Sequence, residues 1–235
     1  MIAIVAALGL LAADTAAKTD AGTPATPGTG RIAGKVTLAG LAPSLANLPV
    51  TRDLKICGSS KPDEALEVGV GGGVKNVVLW LPEGPKPTRE EAARKVKLDQ
   101  QACAYVPHLI AAPVGATLNV TNSDPVLHNV HATEKDAKAF NYAMPLKGHV
   151  VPTKLNTTGT IKIACDVHPW MHAVVHVLPT SAYSVTNEGG TYLIENVPPG
   201  HYKLHLSHER LGERDDEVDV TAGQTVQHDL SLTPR

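Results

Sequence analysis

The 235-residue sequence has few aromatic side chains: one Phe, two Trp and five Tyr, 3% in all. It also lacks a basic excess, with 21 Lys and Arg against 23 Asp and Glu for a formal charge of −2. Nucleic-acid binding needs a cationic face and stacking surfaces, so that class is excluded. No apolar run reaches the ~20 residues of a membrane-spanning helix. Four of the five residues Gly69–Gly73 are glycine, yet no Gly-Lys-Ser/Thr follows, which removes a phosphate cradle and leaves a flexible loop as the reading.

What is present is ordinary globular material, 43% hydrophobic and 19% charged, enough to bury one large core or two small ones. The apolar start MIAIVAALGLLAA reads as the hydrophobic part of a secretory signal, with residues 1–17 as the signal peptide. Residues 18–30, rich in Ala, Thr, Pro and Gly, read as a flexible linker. From residue 31 the chain is punctuated as an all-β protein. Short runs of Val, Ile, Thr and Leu, among them RIAGKVTLAG, KNVVLWLP, TIKIACD, HAVVHVLP and HYKLHLSH, alternate with Gly, Pro, Asn and Asp. Their number suggests two β-sandwiches. One short helix is expected between residues 88 and 97, where Thr88 can cap the first turn and Glu91 can reach back to it.

The chemistry concentrates in IACDVHPWMHAVV, residues 163–175, where Cys165, His168 and Met171 fall three apart. A copper ion that cycles between two oxidation states needs a soft thiolate, imidazoles and a weak thioether, so that neither oxidation state's preferred geometry dominates. This loop supplies three of those donors. NSDPVLHNVHAT, upstream, offers His128 as the fourth. Zinc with His, Cys, His and water is a rival occupant. A binuclear centre would need a second cysteine in the loop, and a multicopper oxidase a His-Cys-His triplet; neither is present.

Residues 105–178 resemble the cupredoxins, the type 1 blue copper proteins, in PVGATLNVTNSD, LHNVHA, the Met144–Pro145 pair, GTIKIACDVHPWM and HAVVHV. The Cys-x-x-His-x-x-Met spacing is of the short, amicyanin kind; Ile163 stands two residues before the cysteine, where an aromatic is usual. The resemblance implies a Greek-key β-sandwich with His128, Cys165 and His168 as strong copper ligands, Met171 as the axial one, and Asn129 bracing the ligand loop. It also implies that His168 shows an edge at the surface, collared by a docking patch of Met144, Pro145, Pro169 and Trp170. The two chain ends, with SVTNEGGTYLIENVPPGHYKLHL the clearest part, resemble carboxypeptidase regulatory-like, transthyretin-like domains. The expected architecture is therefore nested, with a cupredoxin domain at 98–179 inside a small β-sandwich made of 31–97 and 180–235.

With Cys165 given to the metal, Cys57 and Cys103 remain as a pair and are expected to form a disulfide, which fits an exported protein. A second metal site drawing on His108, His131 or His172 is a further expectation. His201 and His205, separated by Lys203, read as solvated. The chain thus reads as a periplasmic or secreted non-enzymatic carrier of single electrons with one type 1 copper. Its expected partner is a redox protein, a cytochrome or a dehydrogenase or oxidase, and its only membrane association would be through the N-terminal segment. A copper-delivery module is the alternative.

Overall fold

The computed structural model describes residues 28–135 and 137–234. The expected signal peptide, and most of the expected linker, lie outside these residues. No helix among the described residues is long and apolar enough to cross a membrane.

The fold is all-β, arranged as two sandwiches. In the first, one sheet has the strand order Ala137–Met144, His128–Glu134, Gly159–Ala164, His172–Leu178, Leu109–Pro113. The facing sheet runs Val150–Lys154, Thr117–Asn122, Lys95–Gln101, Ala104–Val106. Alternation explains the pairing of faces: in Thr117–Asn122, Leu118, Val120 and Asn122 are buried while the residues between them are half-exposed. Leu98, Leu118, Val120, Val130, Ile163 and Val175 fill the core between the two sheets.

The second sandwich is built from both ends of the chain. Gly30–Leu38 lies between Thr191–Val197 and Thr225–Gln227 and also pairs with Leu230–Leu232. The other sheet runs Tyr183–Val185, Val78–Trp80, Gly200–His208, Gly212–Val220. Ile32, Val36, Leu79, Ile194 and Leu204, all fully buried, form its core. Residues 95–178 lie between these two halves in sequence, and the chain leaves and rejoins the second sandwich at one place. There the Pro85 carbonyl accepts hydrogen bonds from the Ser181 N–H and the Thr180 hydroxyl, each at 2.9 Å. A small apolar seam of Val78, Leu109 and Leu178 joins the two sandwiches.

Several expectations need correction. The helix after Thr88 is a single turn, Arg89–Ala92, and its capping box is formed by Thr88 and Glu91. Lys95 already begins a strand, because Val96 and Leu98 align in parallel with Leu118 and Val120, so the first sandwich starts before residue 98. A second one-turn helix, Leu54–Cys57, is added. The glycine run is packed at its two ends and exposed between them: a Cβ on Gly69 or Gly73 would collide with the Glu188 or Gly189 carbonyl, so glycine is required for two backbones to cross there. His205 stacks on Trp80 at 4.3 Å and is not fully solvated.

Two predictions follow from this core. Replacing residues 86–180 with a Gly-Gly link should leave a β-rich unit that melts cooperatively, since the chain already meets itself at Pro85 and Ser181; a product with no melting transition would show that the second sandwich needs the first. Burial lowers the pKa of His176 and of His208 to about 4. An unfolded chain protonates these rings near 6.5, so it binds more protons than the native state between the two values. Their contribution to stability should be flat above about pH 6.5, then fall toward pH 4 by up to about 3 kcal/mol per histidine. Denaturant midpoints measured across that range check the sign, and each slope should vanish in the matching His→Gln variant.

Candidate metal centre

The loop from Cys165 to Met171 joins two antiparallel strands that stay paired as far as Ala164 and His172. Within it the Met171 N–H donates to the His168 carbonyl at 2.9 Å, and the Cys165 N–H donates to the Met171 carbonyl at 3.2 Å. These bonds draw Cys165, His168 and Met171 around one tight turn. His128 opens the neighbouring strand, which pairs with Gly159–Ala164 through Ala164 and His131. Sheet register therefore carries the upstream histidine to the loop.

All four residues are out of solvent: His128 and His168 are 0% exposed, Met171 1% and Cys165 3%. The Nδ1 atoms of the two imidazoles lie 2.8 Å apart, and Cys165 Sγ is 3.8 Å from His168 Nδ1. The far nitrogens are both engaged. His128 Nε2 donates to an Asp124 carboxylate oxygen at 2.9 Å, and His168 Nε2 donates to Asp53 at 2.9 Å. Each ring is thereby held with its Nδ1 facing the other imidazole, that of His168 also facing Cys165, while a carboxylate holds its Nε2, the orientation in which Nδ1 can ligate a metal. Burial holds the His128 pKa below its ordinary value, against the Asp124 hydrogen bond, which keeps the ring neutral and able to ligate.

The carboxylates are themselves anchored. Asp124 accepts the Ala102 N–H at 2.7 Å and the Cys103 N–H at 2.8 Å. Ala102 and Cys103 both sit in the left-handed region, φ 50° and 56°, so that their two successive N–H groups converge on that carboxylate. The conformation costs about 1–2 kcal/mol per residue, and charge-assisted hydrogen bonds offset it. Cys103 is disulfide-bonded to Cys57. Cys57 ends the helical turn that Asp53 opens, so the bridge that anchors this turn also carries Asp53 to His168. Asn129 spans strand and loop: its Oδ1 accepts the Asp166 N–H at 2.6 Å and its Nδ2 donates to the Asp166 side chain at 2.8 Å. The Tyr105 hydroxyl, 2.6 Å from the Asn129 carbonyl and 3.1 Å from that of Ala164, sits between the two strands that carry ligands.

The expected docking patch is not assembled. Trp170 is 7% exposed, its ring 5.0 Å from that of His168 and its Nε1–H donating to the Cys103 carbonyl at 3.0 Å; Met144 is fully buried. Only Pro145 and Pro169 of the four are at the surface. His168 shows no surface edge, because Asp53 closes over its Nε2. His131 turns away to Asp166 at 2.9 Å, whereas His108 and His172 come together with Glu209. Asp53, Asp124, Tyr105 and Glu209 were not anticipated. Asp124, four residues before His128 in NSDPVLH, carried a readable signal; Asp53, 115 residues from His168, carried none.

Two imidazoles and a thiol gathered within 4.8 Å of one another in a buried pocket, with Met171 buried at the end of the same loop, are a donor set that suits copper, with soft and borderline ligands together. The residues present fit that ion. Asp124→Ala should lower metal affinity about 10–100-fold by freeing His128 and the Cys103 turn, as measured by competition with a chelator. Tyr105→Phe should cost about 1 kcal/mol of stability while leaving the ligands in place.

Comparison with known proteins finds matches of two kinds. The carboxypeptidase regulatory-like domain family matches residues 157–233, a span that begins in the first sandwich and takes in the ligand loop. No curated protein matches the sequence. Among solved structures, a purple cupredoxin from Nitrosopumilus maritimus is 26% identical over 35% of this chain and 98% of its own, with a TM-score of 0.32. A reduced amicyanin variant is 23% identical over 42% of this chain and 97% of its own, TM-score 0.33. A copper-containing nitrite reductase from Thermus scotoductus is 18% identical over 49% of this chain and 26% of its own, TM-score 0.32. The chain is thus similar to solved cupredoxins over 35–42% of its length, and to carboxypeptidase regulatory-like domains over residues 157–233.

Proposed function

We propose that this protein is an exported, single-copper carrier of electrons, with His128, Cys165 and His168 as the principal ligands and Met171 beside them. The observation that carries the reading is the make-up of the pocket: His128, Cys165 and His168 buried within 4.8 Å of one another, both imidazoles pinned at Nε2 by carboxylates, Met171 buried at the end of the same loop, and a disulfide-held turn closing one side. Copper, when bound, supplies a one-electron couple. A pocket that holds its ligands rigid keeps the same shape in both oxidation states, which suits electron carriage. Delivery of the metal to another protein needs a ligand that can swing out, and each histidine here would first have to break a carboxylate hydrogen bond in a site closed to water.

The disulfide supports an oxidising location, the periplasm or the exterior. The partner would be a redox protein such as a cytochrome, a dehydrogenase or an oxidase. Contact would be made near Asp53, since that side chain binds His168 and is itself 41% exposed.

Adding Cu(II) to the purified protein tests the reading. One equivalent per chain should give an intense blue or violet colour from thiolate-to-copper charge transfer. Cys165→Ser should abolish that colour; Met171→Leu should keep it and raise the reduction potential, because the axial bond is weak. A colourless complex, or rapid surrender of Cu(I) to an acceptor protein, would overturn the carrier reading.

A further inference from the structure

Outside the buried centre, the seam between the sandwiches gathers a second set of metal-ligating side chains. His108 lies on the turn before Leu109–Pro113, His172 begins its strand, and Glu209 sits in the turn between Gly200–His208 and Gly212–Val220. Two ligands thus come from the first sandwich and one from the second. One ligating atom from each lies within 4.8 Å of the others. His108 Nε2 is 2.7 Å from a Glu209 carboxylate oxygen, and the rings of His108 and His172 meet edge to face at 5.0 Å.

We propose that His108, His172 and Glu209 form a second metal site, for a divalent transition-metal cation, that clasps the two sandwiches together. The assignment does not depend on the occupant of the cysteine-containing centre.

Three features support a cation here beyond a simple His108–Glu209 ion pair. First, His172 Nδ1 donates to the Trp170 carbonyl at 3.2 Å, which leaves the Nε2 lone pair for a metal, the orientation a ligating histidine requires. Second, the surroundings are acidic: Asp63 lies 3.9 Å from His172 Nε2, and the charges of Glu64 and Glu67 also act on His108. These carboxylates, together with that of Glu209, would stabilise a cation held between the two imidazoles. Third, ions can reach the site from solvent. His172 and Glu209 line a cavity of about 820 Å³, and their side chains are 32% and 28% exposed. Two imidazoles and a carboxylate with room for water match the ligands zinc takes and suit copper(II) as well. His172 directly follows Met171, so occupancy here would also stiffen the strand end next to the primary loop.

The test is a titration of the intact, 15N-labelled chain with Zn²⁺, read through the imidazole resonances of individual histidines. The His108 and His172 signals should shift together and saturate at one Zn²⁺ per chain for that pair, independently of whatever happens at His128 and His168. Glu209→Gln should raise the Zn²⁺ concentration for half-saturation of the pair at least about tenfold, while an exposed control, Asp219→Asn, leaves it unchanged. If Glu209→Gln failed to fold, His172→Asn at its partly exposed position carries the same expectation for the His108 signal. The proposal is overturned if His108 and His172 stay unmoved by Zn²⁺, or if they respond equally in the wild type and in folded Glu209→Gln.

Discussion

The Asp124 carboxylate is the constraint on which the candidate centre depends. One of its oxygens receives the Cys103 N–H and orients His128, while the other receives the Ala102 N–H. Asp124 is itself seated by its N–H donating to the Asn122 side chain, and the amide of that same Asn122 donates to the Met144 and Val126 carbonyls. A carboxylate nearly closed to water holds its hydrogen bonds in a low-dielectric setting, where each is stronger and where an unpaired charge would be costly. Its position is therefore over-determined, and that rigidity passes to the imidazole.

From that anchor the disulfide extends the same logic to the other histidine. Cys103, turned into the left-handed region by Asp124, bridges to Cys57, and the turn ending at Cys57 carries Asp53 to His168. A segment that precedes the first sandwich in sequence thereby becomes the cover of that sandwich's candidate metal pocket. This arrangement explains why His168 has no surface edge, and why Trp170 fills the space beneath the loop with its indole N–H spent on the Cys103 carbonyl. The Asp53 turn thus acts as a lid over His168.

Nesting has a second consequence at the seam. The apolar contact among Val78, Leu109 and Leu178 is small, extended by Trp80, Ala111, Tyr183 and Val185, and a titratable cluster begins beside it at His108. His108, His172 and Glu209 meet there because the second sandwich returns through its Gly200–His208 and Gly212–Val220 hairpin, whose turn projects Glu209 back onto the first. The two metal-capable clusters are therefore joined by one short stretch of chain, Met171–His172.

The sequence by itself determined the elements whose cause is local. Alternating apolar residues specify strands, the Thr88–Glu91 pair specifies a capped turn, and the spacing of Cys165, His168 and Met171 places three donors on one loop because a single tight turn spans them. Three cysteines with one committed left a single pair to bridge. Tertiary structure decided what depends on distant partners. Lys95–Lys97 became strand because a parallel neighbour, Thr117–Asn119, was available for pairing, which overrode a helix-compatible stretch. Trp170 and Met144 look like surface-loop residues in isolation and are buried because the Cys103 backbone and the strand ends close over them. Asp53 and Glu209 have no local pattern at all: each is an ordinary acidic residue in a turn until a chain crossing sets it 2.9 Å and 2.7 Å, respectively, from a histidine more than a hundred residues away. Periodicity and spacing record only forces between neighbours along the chain, whereas the second nitrogen of each histidine is oriented by whatever group the fold delivers through space.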